Sequence, residues 1–137
     1  MDIVEVAQRS GIPAATLRFY EQKGLIASTG RRGLRRVFDG GVMDRLALIA
    51  LGAAAGFSLD EIRRMFTPGG RVQIDRQMLS TKAKDLDKTI RQLIAMRNGL
   101  RHAAVCPAPS HMECPTFRRL MRAAGSGEIG PRARKKA

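Results

Sequence analysis

Apolar and polar positions follow a helical spacing over most of this chain. Asp2 precedes apolar Ile3, Val6 and Ala7, and Ser10-Gly11 ends the run. That pattern predicts a helix of about two turns, with an aspartate N-cap and a glycine stop. Pro13 then opens a second helix at a position where proline is favoured. Leu17, Tyr20 and Phe19 supply its apolar contacts, Thr16, Arg18 and Glu21 face elsewhere, and Gly24 stops it. Two short helices joined by a tight glycine-containing turn are a helix-turn-helix signal. The second helix of such a pair presents the residues near its N-terminus to base edges.

From Leu25 to Phe38, turn residues (Thr29-Gly30, Gly33) separate short apolar ends, which predicts a small β-hairpin wing. A helix follows over about 42–55 with Met43, Leu46, Ile49, Leu51 and Ala53 apolar, and Gly56 closes it. Ser58-Leu-Asp-Glu61 has capping-box spacing and starts another helix through Ile62 and Met65. Thr67-Pro68-Gly69-Gly70 is the best internal break. Beyond it the period changes. Val72, Leu79, Leu86, Leu93 and Leu100 recur every seven residues, and Arg76, Ala83, Ile90, Arg97 and Ala104 fill the companion positions. Leucine at four successive d positions predicts a dimerising coiled coil. The small domain before it cannot cover a helix roughly 50 Å long. Leu79, Leu86, Ile90, Leu93 and Leu100 are the seam residues. The two arginines at a positions can snorkel, and they help to choose between antiparallel and parallel pairing.

Composition narrows the partners. The chain has 137 residues, a hydrophobic fraction of 44%, no Trp and one Tyr, so it is globular without an aromatic-centred core. Its net charge of +13 argues for a polyanionic partner. Arg31, Arg32, Arg35 and Arg36 crowd the hairpin tip with no acid among residues 28–38. A second basic block, Arg118, Arg119, Arg122, Arg132, Arg134, Lys135 and Lys136, is opposed only by Glu128. Residues from Gly125 onward read as a solvated tail that adds nonspecific attraction to DNA. No apolar run is long enough to cross a bilayer, and residues 1–12 lack the basic-then-apolar layout of a secretory leader. The expected location is the cytoplasm, with no membrane partner. Two cysteines in such a compartment are thiols, metal ligands or redox switches rather than a structural framework.

The segments Ile3-Val-Glu-Val-Ala-Gln-Arg-Ser-Gly-Ile12 and Thr16-Leu-Arg-Phe-Tyr-Glu-Gln-Lys-Gly-Leu25 resemble the MerR family of bacterial transcription regulators, as does Gly56-Phe-Ser-Leu-Asp-Glu-Ile62. The resemblance extends to about residue 122. It implies a mainly α fold: a winged helix-turn-helix domain over 1–68 and a dimerisation helix over 69–105 that forms an antiparallel coiled coil. A sensor loop and short helix over 106–123 and a disordered basic tail over 124–137 complete the layout. It further implies a homodimer that binds a pseudo-palindromic promoter operator, distorts it for RNA polymerase, and lets an inducer choose between two DNA-bound shapes. Thr16, Arg18 and Tyr20 fall on DNA-contacting positions, with Arg36 in the wing. Arg31, Arg32 and Arg35 join them through the charge of the hairpin tip. Arg18 can bond a guanine edge or clamp a phosphate, whereas Thr16 and Tyr20 can donate to phosphate oxygens. Tyr20 can equally be a core aromatic with its hydroxyl at the rim, and Phe19 reads as core. The family's wing usually reads Gly-Tyr-Arg-x-Tyr. Here Leu34-Arg35-Arg36-Val37-Phe38 puts Arg35 where an aromatic is usual, which predicts a more electrostatic wing.

The chain's two cysteines lie in Cys106-Pro-Ala-Pro-Ser-His-Met-Glu-Cys114-Pro115. Thiolates at this spacing can meet over one soft ion. The spacing and the Cys-Pro start of the last helix resemble the metal loop of the family's copper-efflux regulators, which implies two-coordinate Cu(I) or Ag(I). Family sensors of divalent Hg, Cd and Pb add a cysteine near the start of the dimerisation helix. Gly70-Arg71-Val72-Gln73 has none. His111, inside the loop, is a candidate third ligand, and with Glu113 it nominally completes a Zn(II) set. His102 is a second candidate, although a lone helix histidine is more often a surface or packed residue. Arg118, Arg119 and Arg122, if close, would lower the thiol pKa. A reversible Cys106–Cys114 disulfide, or structural cysteines beside an organic inducer with no metal, are the competing readings. A DNA-architectural role like that of phage excisionases shares the winged helix, but not the long helix and cysteine loop. The cysteines are not Cys-x-x-Cys, and no Ser/His/Asp grouping or phosphate loop is present, so no enzyme is expected.

Overall fold

The computed structural model describes residues 1–129. They divide into two compact units, Met1–Leu79 and the chain from Ser80 onward. In the first unit, helix α1 (Ile3–Ser10) begins where the Asp2 side chain accepts from the Glu5 N–H. It ends at Gly11, whose φ of 74° is the left-handed conformation glycine adopts without strain. Helix α2 (Ala14–Gln22) follows Pro13, and Gly24 turns the chain away. The wing is an antiparallel pair, β1 (Gly30–Arg32) and β2 (Arg35–Val37), with Arg31 opposite Arg36 and Arg32 opposite Arg35. Asp2 bridges Val37, and the Phe38 N–H donates to the Met1 carbonyl, so the chain start is laid along β2.

Helix α3 (Val42–Ala55) buries Val42, Leu46, Ile49 and Gly52 on one face. Helix α4 (Leu59–Arg63) starts in a complete capping box, with Ser58 and Glu61 each accepting from the other's backbone N–H. These elements enclose Val6, Leu17, Phe38, Val42, Ile49, Ile62 and Met65, all almost fully buried. The sequence places Phe19 and Leu51 among the apolar contacts; both are exposed. Phe19 lies beneath the Lys23 ammonium, 5.6 Å from the ring centroid, so the cation rather than the core covers it. Leu51 lies off the face of α3 that Ile49 and Gly52 bury. Tyr20 is half-buried against the core.

The long helix α5 (Arg76–Val105) starts four residues later than the heptad pattern indicates. Val72 pairs instead with Phe66 in an isolated bridge, and Asp75 accepts from the Gln77 N–H at the helix start. Ile74 and Met78 pack on the first unit's core, which therefore reaches past the Thr67–Gly70 break. Along α5, Leu79, Leu86, Ile90, Leu93 and Leu100 are 37% to 58% exposed, so a single chain leaves the seam uncovered. An open apolar groove of about 550 Å³ runs past Leu93, Met96, Leu100 and Ala104. A 3-10 turn (His111–Glu113) leads into α6 (Pro115–Gly125). Gly125, expected to begin the tail, is the last helical residue, and the Glu128 N–H donates to the Ala123 carbonyl. Arg132, Arg134, Lys135 and Lys136 lie outside the described residues. No helix among the described residues is long and apolar enough to cross a membrane.

Gly52 marks a close approach of α3 to α4 in the first unit. A Cβ there would lie 2.8 Å from Ile62 Cγ1 and 3.0 Å from Cδ1. Gly52→Leu would regain about 1 kcal/mol of helix propensity. It would also expel Ile62 from a fully buried site, at about 2–5 kcal/mol. Urea unfolding should show a net loss of stability. A variant as stable as the wild type would mean that Ile62 has room to move aside.

Candidate metal centre and nucleic-acid interface

Four arginines sit on the wing, and the fold divides them into two pairs. On β2, Arg36 Nε lies 2.7 Å from Glu21 Oε1, and the Ser28 hydroxyl donates to the other oxygen of that carboxylate at 2.7 Å. Arg36 therefore clamps the wing to α2. Arg35 reaches the Asp2 carboxylate at 3.4 Å. This contact and the Glu5 N–H, the larger influence, hold the Asp2 carboxyl below its ordinary pKa. On β1, Arg31 and Arg32 are exposed, with no ion pair among the described residues. Like charges directly opposed across two strands are destabilising. Glu21 and Asp2 relieve β2, and β1 is left as a basic edge. Arg18 projects from α2 into solvent, Thr16 is half-buried one turn before Tyr20, and Leu17 between them anchors the helix in the core. Among the described residues of α2 and the wing, the cations facing solvent without an ion pair are thus Arg18, Arg31 and Arg32. Arg35 and Arg36 hold the scaffold.

In the second unit, the end of α5 and the start of α6 come together at small residues. Gly99 and Ala103 are buried, and a Cβ on Gly99 would meet Leu120 Cδ2 at 2.9 Å. The Gln92 side chain donates to the Glu128 carbonyl at 2.8 Å. Arg118 donates to the Met112 carbonyl at 3.2 Å, fixing the loop to α6. Seated in this way, Cys114 is fully buried and Cys106 half-buried. Ligand atoms of Cys106, Cys114 and His102 all lie within 4.8 Å of one another. Metal–sulfur bonds of about 2.3 Å let two sulfurs up to about 4.6 Å apart share one ion, so sulfurs this close are within reach of a single ion.

His111, the loop histidine, is not in this group. Its Nε2 is 2.9 Å from the Ala103 carbonyl, and its ring lies against Phe117 at 5.5 Å between centroids. The third group is His102, on the last turn of α5. The signal for it in the sequence is the i, i+4 relation to Cys106, which places both on one helix face. The Cys114 thiol is held down to about 7. The backbone N–H of Phe117 does most of this; burial opposes it, and the Cys106 and His102 side chains and the Thr116 N–H assist. The amide groups at the start of α6 therefore supply what the charges of Arg118, Arg119 and Arg122 were expected to supply.

The profile described as MerR HTH family regulatory protein matches residues 1–67, and that described as MerR, DNA binding matches residues 43–103. The HTH-type transcriptional regulator HmrR of Rhizobium leguminosarum bv. viciae is 30% identical over 125 residues, covering 88% of this chain and 97% of its own. The HTH-type transcriptional regulator CueR of Escherichia coli O157:H7 is 29% identical over 126 residues, covering 88% and 93%. The transcription regulator PbrR691 from Ralstonia metallidurans CH34, solved in complex with lead(II), superposes with a TM-score of 0.55 at 25% identity. That match covers 88% of this chain and 98% of its own.

The Cys114 geometry sets a pH dependence. A thiol more acidic in the folded chain than in the unfolded one stabilises the fold fully above its ordinary value of 9.0. That contribution is lost as pH falls through about 7. The ultraviolet thiolate absorbance of the reduced protein should show a group titrating near 7. Cys114→Ser should abolish that transition. Its survival in the variant would assign the acidic thiol elsewhere.

Proposed function

The chain belongs to the MerR family of transcription regulators, and on that premise we propose that it is a dimeric, metal-responsive regulator of promoter DNA whose effector is a soft monovalent ion, Cu(I) or Ag(I). The observation that carries the effector reading is the pairing of Cys106 and Cys114 within reach of one ion, with Cys114 buried. Two thiolates suit a linear, two-coordinate ion, and soft sulfur selects Cu(I) over harder cations. The lead(II) of the PbrR691 structure is not carried over, because this chain has two cysteines in all. The protein acts in the cytoplasm on a pseudo-palindromic operator. Two copies of α2 enter successive major grooves, and Arg18, Arg31 and Arg32 meet the DNA first. Thr16 and Tyr20 complete the backbone contacts. The exposed seam Leu79–Leu86–Ile90–Leu93–Leu100 pairs with its copy in a second chain. Ion binding selects the DNA-bound shape that RNA polymerase can use, a population shift and not a release from DNA.

A reversible Cys106–Cys114 disulfide is a second reading, favoured by the low pKa of Cys114 beside the other sulfur. An anaerobic Cu(I) titration of the reduced protein against a strong chelator separates the two. One tight ion per chain, lost in Cys106→Ser, is the expected result. Absence of competition would remove the metal and leave the disulfide. Arg18→Ala should weaken operator binding by about 1–3 kcal/mol, read by a fluorescence anisotropy titration at fixed salt. An unchanged affinity would take Arg18 off the DNA. Leu86→Ala with Leu93→Ala should cost roughly 2–5 kcal/mol per buried side chain and dissociate the dimer at low micromolar concentration. A variant that still sediments as a dimer would relocate the interface.

A further inference from the structure

Three features set His102 apart from the thiol pair that carries the proposed copper response. It stands on the last turn of α5, four residues before Cys106, which follows directly on the end of that helix. Its ligand nitrogen lies within 4.8 Å of both sulfurs, and its side chain meets Cys114. It is also solvent-exposed, whereas Cys114 at the far side of the group is fully buried. The chain's other histidine, His111, is already engaged by the Ala103 carbonyl and Phe117.

We infer that His102 is a third metal ligand. The site is then a two-sulfur, one-nitrogen centre that accepts a borderline divalent ion of the zinc class as well as a soft monovalent one. Imidazole suits Zn(II), and thiolate suits both classes of ion. Three protein ligands leave one position of a tetrahedral ion for water. The exposed side of the group, at His102, is where water reaches it. A linear Cu(I) needs only the two sulfurs, so the nitrogen matters more to the divalent ion. This inference rests on the reading that Cys106 and Cys114 bind metal.

The test uses the full-length reduced protein and its His102→Gln variant. Each is titrated with Zn(II) and with Cu(I) against competing chelators, and with Co(II) as a spectroscopic stand-in for zinc. The wild type should bind one Zn(II) per chain and show the visible bands of tetrahedral Co(II) with sulfur ligands. In His102→Gln the Zn(II) affinity should fall by about tenfold or more, and the Co(II) bands should weaken. The Cu(I) affinity should change by less than about threefold. Nuclear magnetic resonance of the wild type gives an answer independent of the variant: Zn(II) should shift the ring signals of His102 and leave those of His111 in place. Equal Zn(II) affinity in the two proteins would overturn the inference. A wild type that binds Cu(I) but no Zn(II) would overturn it as well, and both results leave the thiol pair standing. A wild type that binds neither ion would overturn the thiol pair too. Operator affinity of the metal-free variant, unchanged from wild type, shows that the fold is intact.

Discussion

Both units depend on one packing device: a branched aliphatic side chain seated where a helix carries no Cβ. Ile62 occupies the notch over Gly52, and Leu120 occupies the notch over Gly99. With no Trp and a single Tyr, Phe38 is the one aromatic side chain fully buried among the described residues. The backbones must approach closely, and glycine permits that approach. In the first unit the device seats α4 and completes the core beneath α3. In the second it has a chemical consequence. Because Leu120 sits on Gly99, α6 is held back against α5. Cys114, at the start of α6, then meets Cys106 and His102. The contact that gathers these three side chains includes none of them.

Charge on the reading surface follows a comparable economy. The wing sets arginine against arginine in two successive cross-strand pairs, an arrangement that a two-stranded hairpin cannot sustain without compensation. Glu21 and Asp2 compensate one member of each pair, and in doing so they tie the wing to α2 and to the N-cap of α1. Arg31 and Arg32 are exposed and have no ion pair among the described residues. A phosphate backbone is the partner that relieves such a strip, and it does so through counterion release whatever the base sequence. Under the proposed DNA-binding role the wing would position the protein, and sequence discrimination would fall to the exposed face of α2, where Arg18 stands.

Most of the first unit could be read from the chain because its boundaries are set by local chemistry. Asp2, Gly11, Gly24, Gly56 and the Ser58/Glu61 box each act within one turn of where they stand. The misplaced features are those fixed by contacts that hydrophobic periodicity does not report. Val72 continues the heptad in register, yet its backbone pairs with Phe66 and the helix waits for Asp75. Phe19 has the composition of a core residue and is covered by a lysine instead. At the sensing end the two sulfurs were legible from spacing and softness. Of the two candidate histidines, the sequence favours His111, because a residue between two cysteines looks closer to an ion than His102 on the preceding helix. The Ala103 carbonyl, which engages His111, leaves no trace in a one-dimensional reading. Helical phase, which places His102 beside Cys106, was the available signal. The notches at Gly52 and Gly99 had none, since a glycine in a helix reads only as a weak position.

The electrostatics of the thiol pair bear on how such a centre tells ions apart. Two thiolates in contact repel, and the N–H groups at the start of α6 favour ionisation at Cys114. Two thiolates holding a monovalent ion carry one negative charge, and the same two holding a divalent ion carry none. The His102 ring adds a donor atom without adding charge, so it alters affinity but not this difference. The N-terminus of α6, whose partial positive charge faces the sulfurs, therefore keeps its electrostatic attraction to the loop with one class of ion and loses it with the other. Under the proposed metal response, ions of different charge at the same ligands would bear differently on α6, the element whose Leu120 packs on Gly99 of α5, and discrimination between them would need no second binding site.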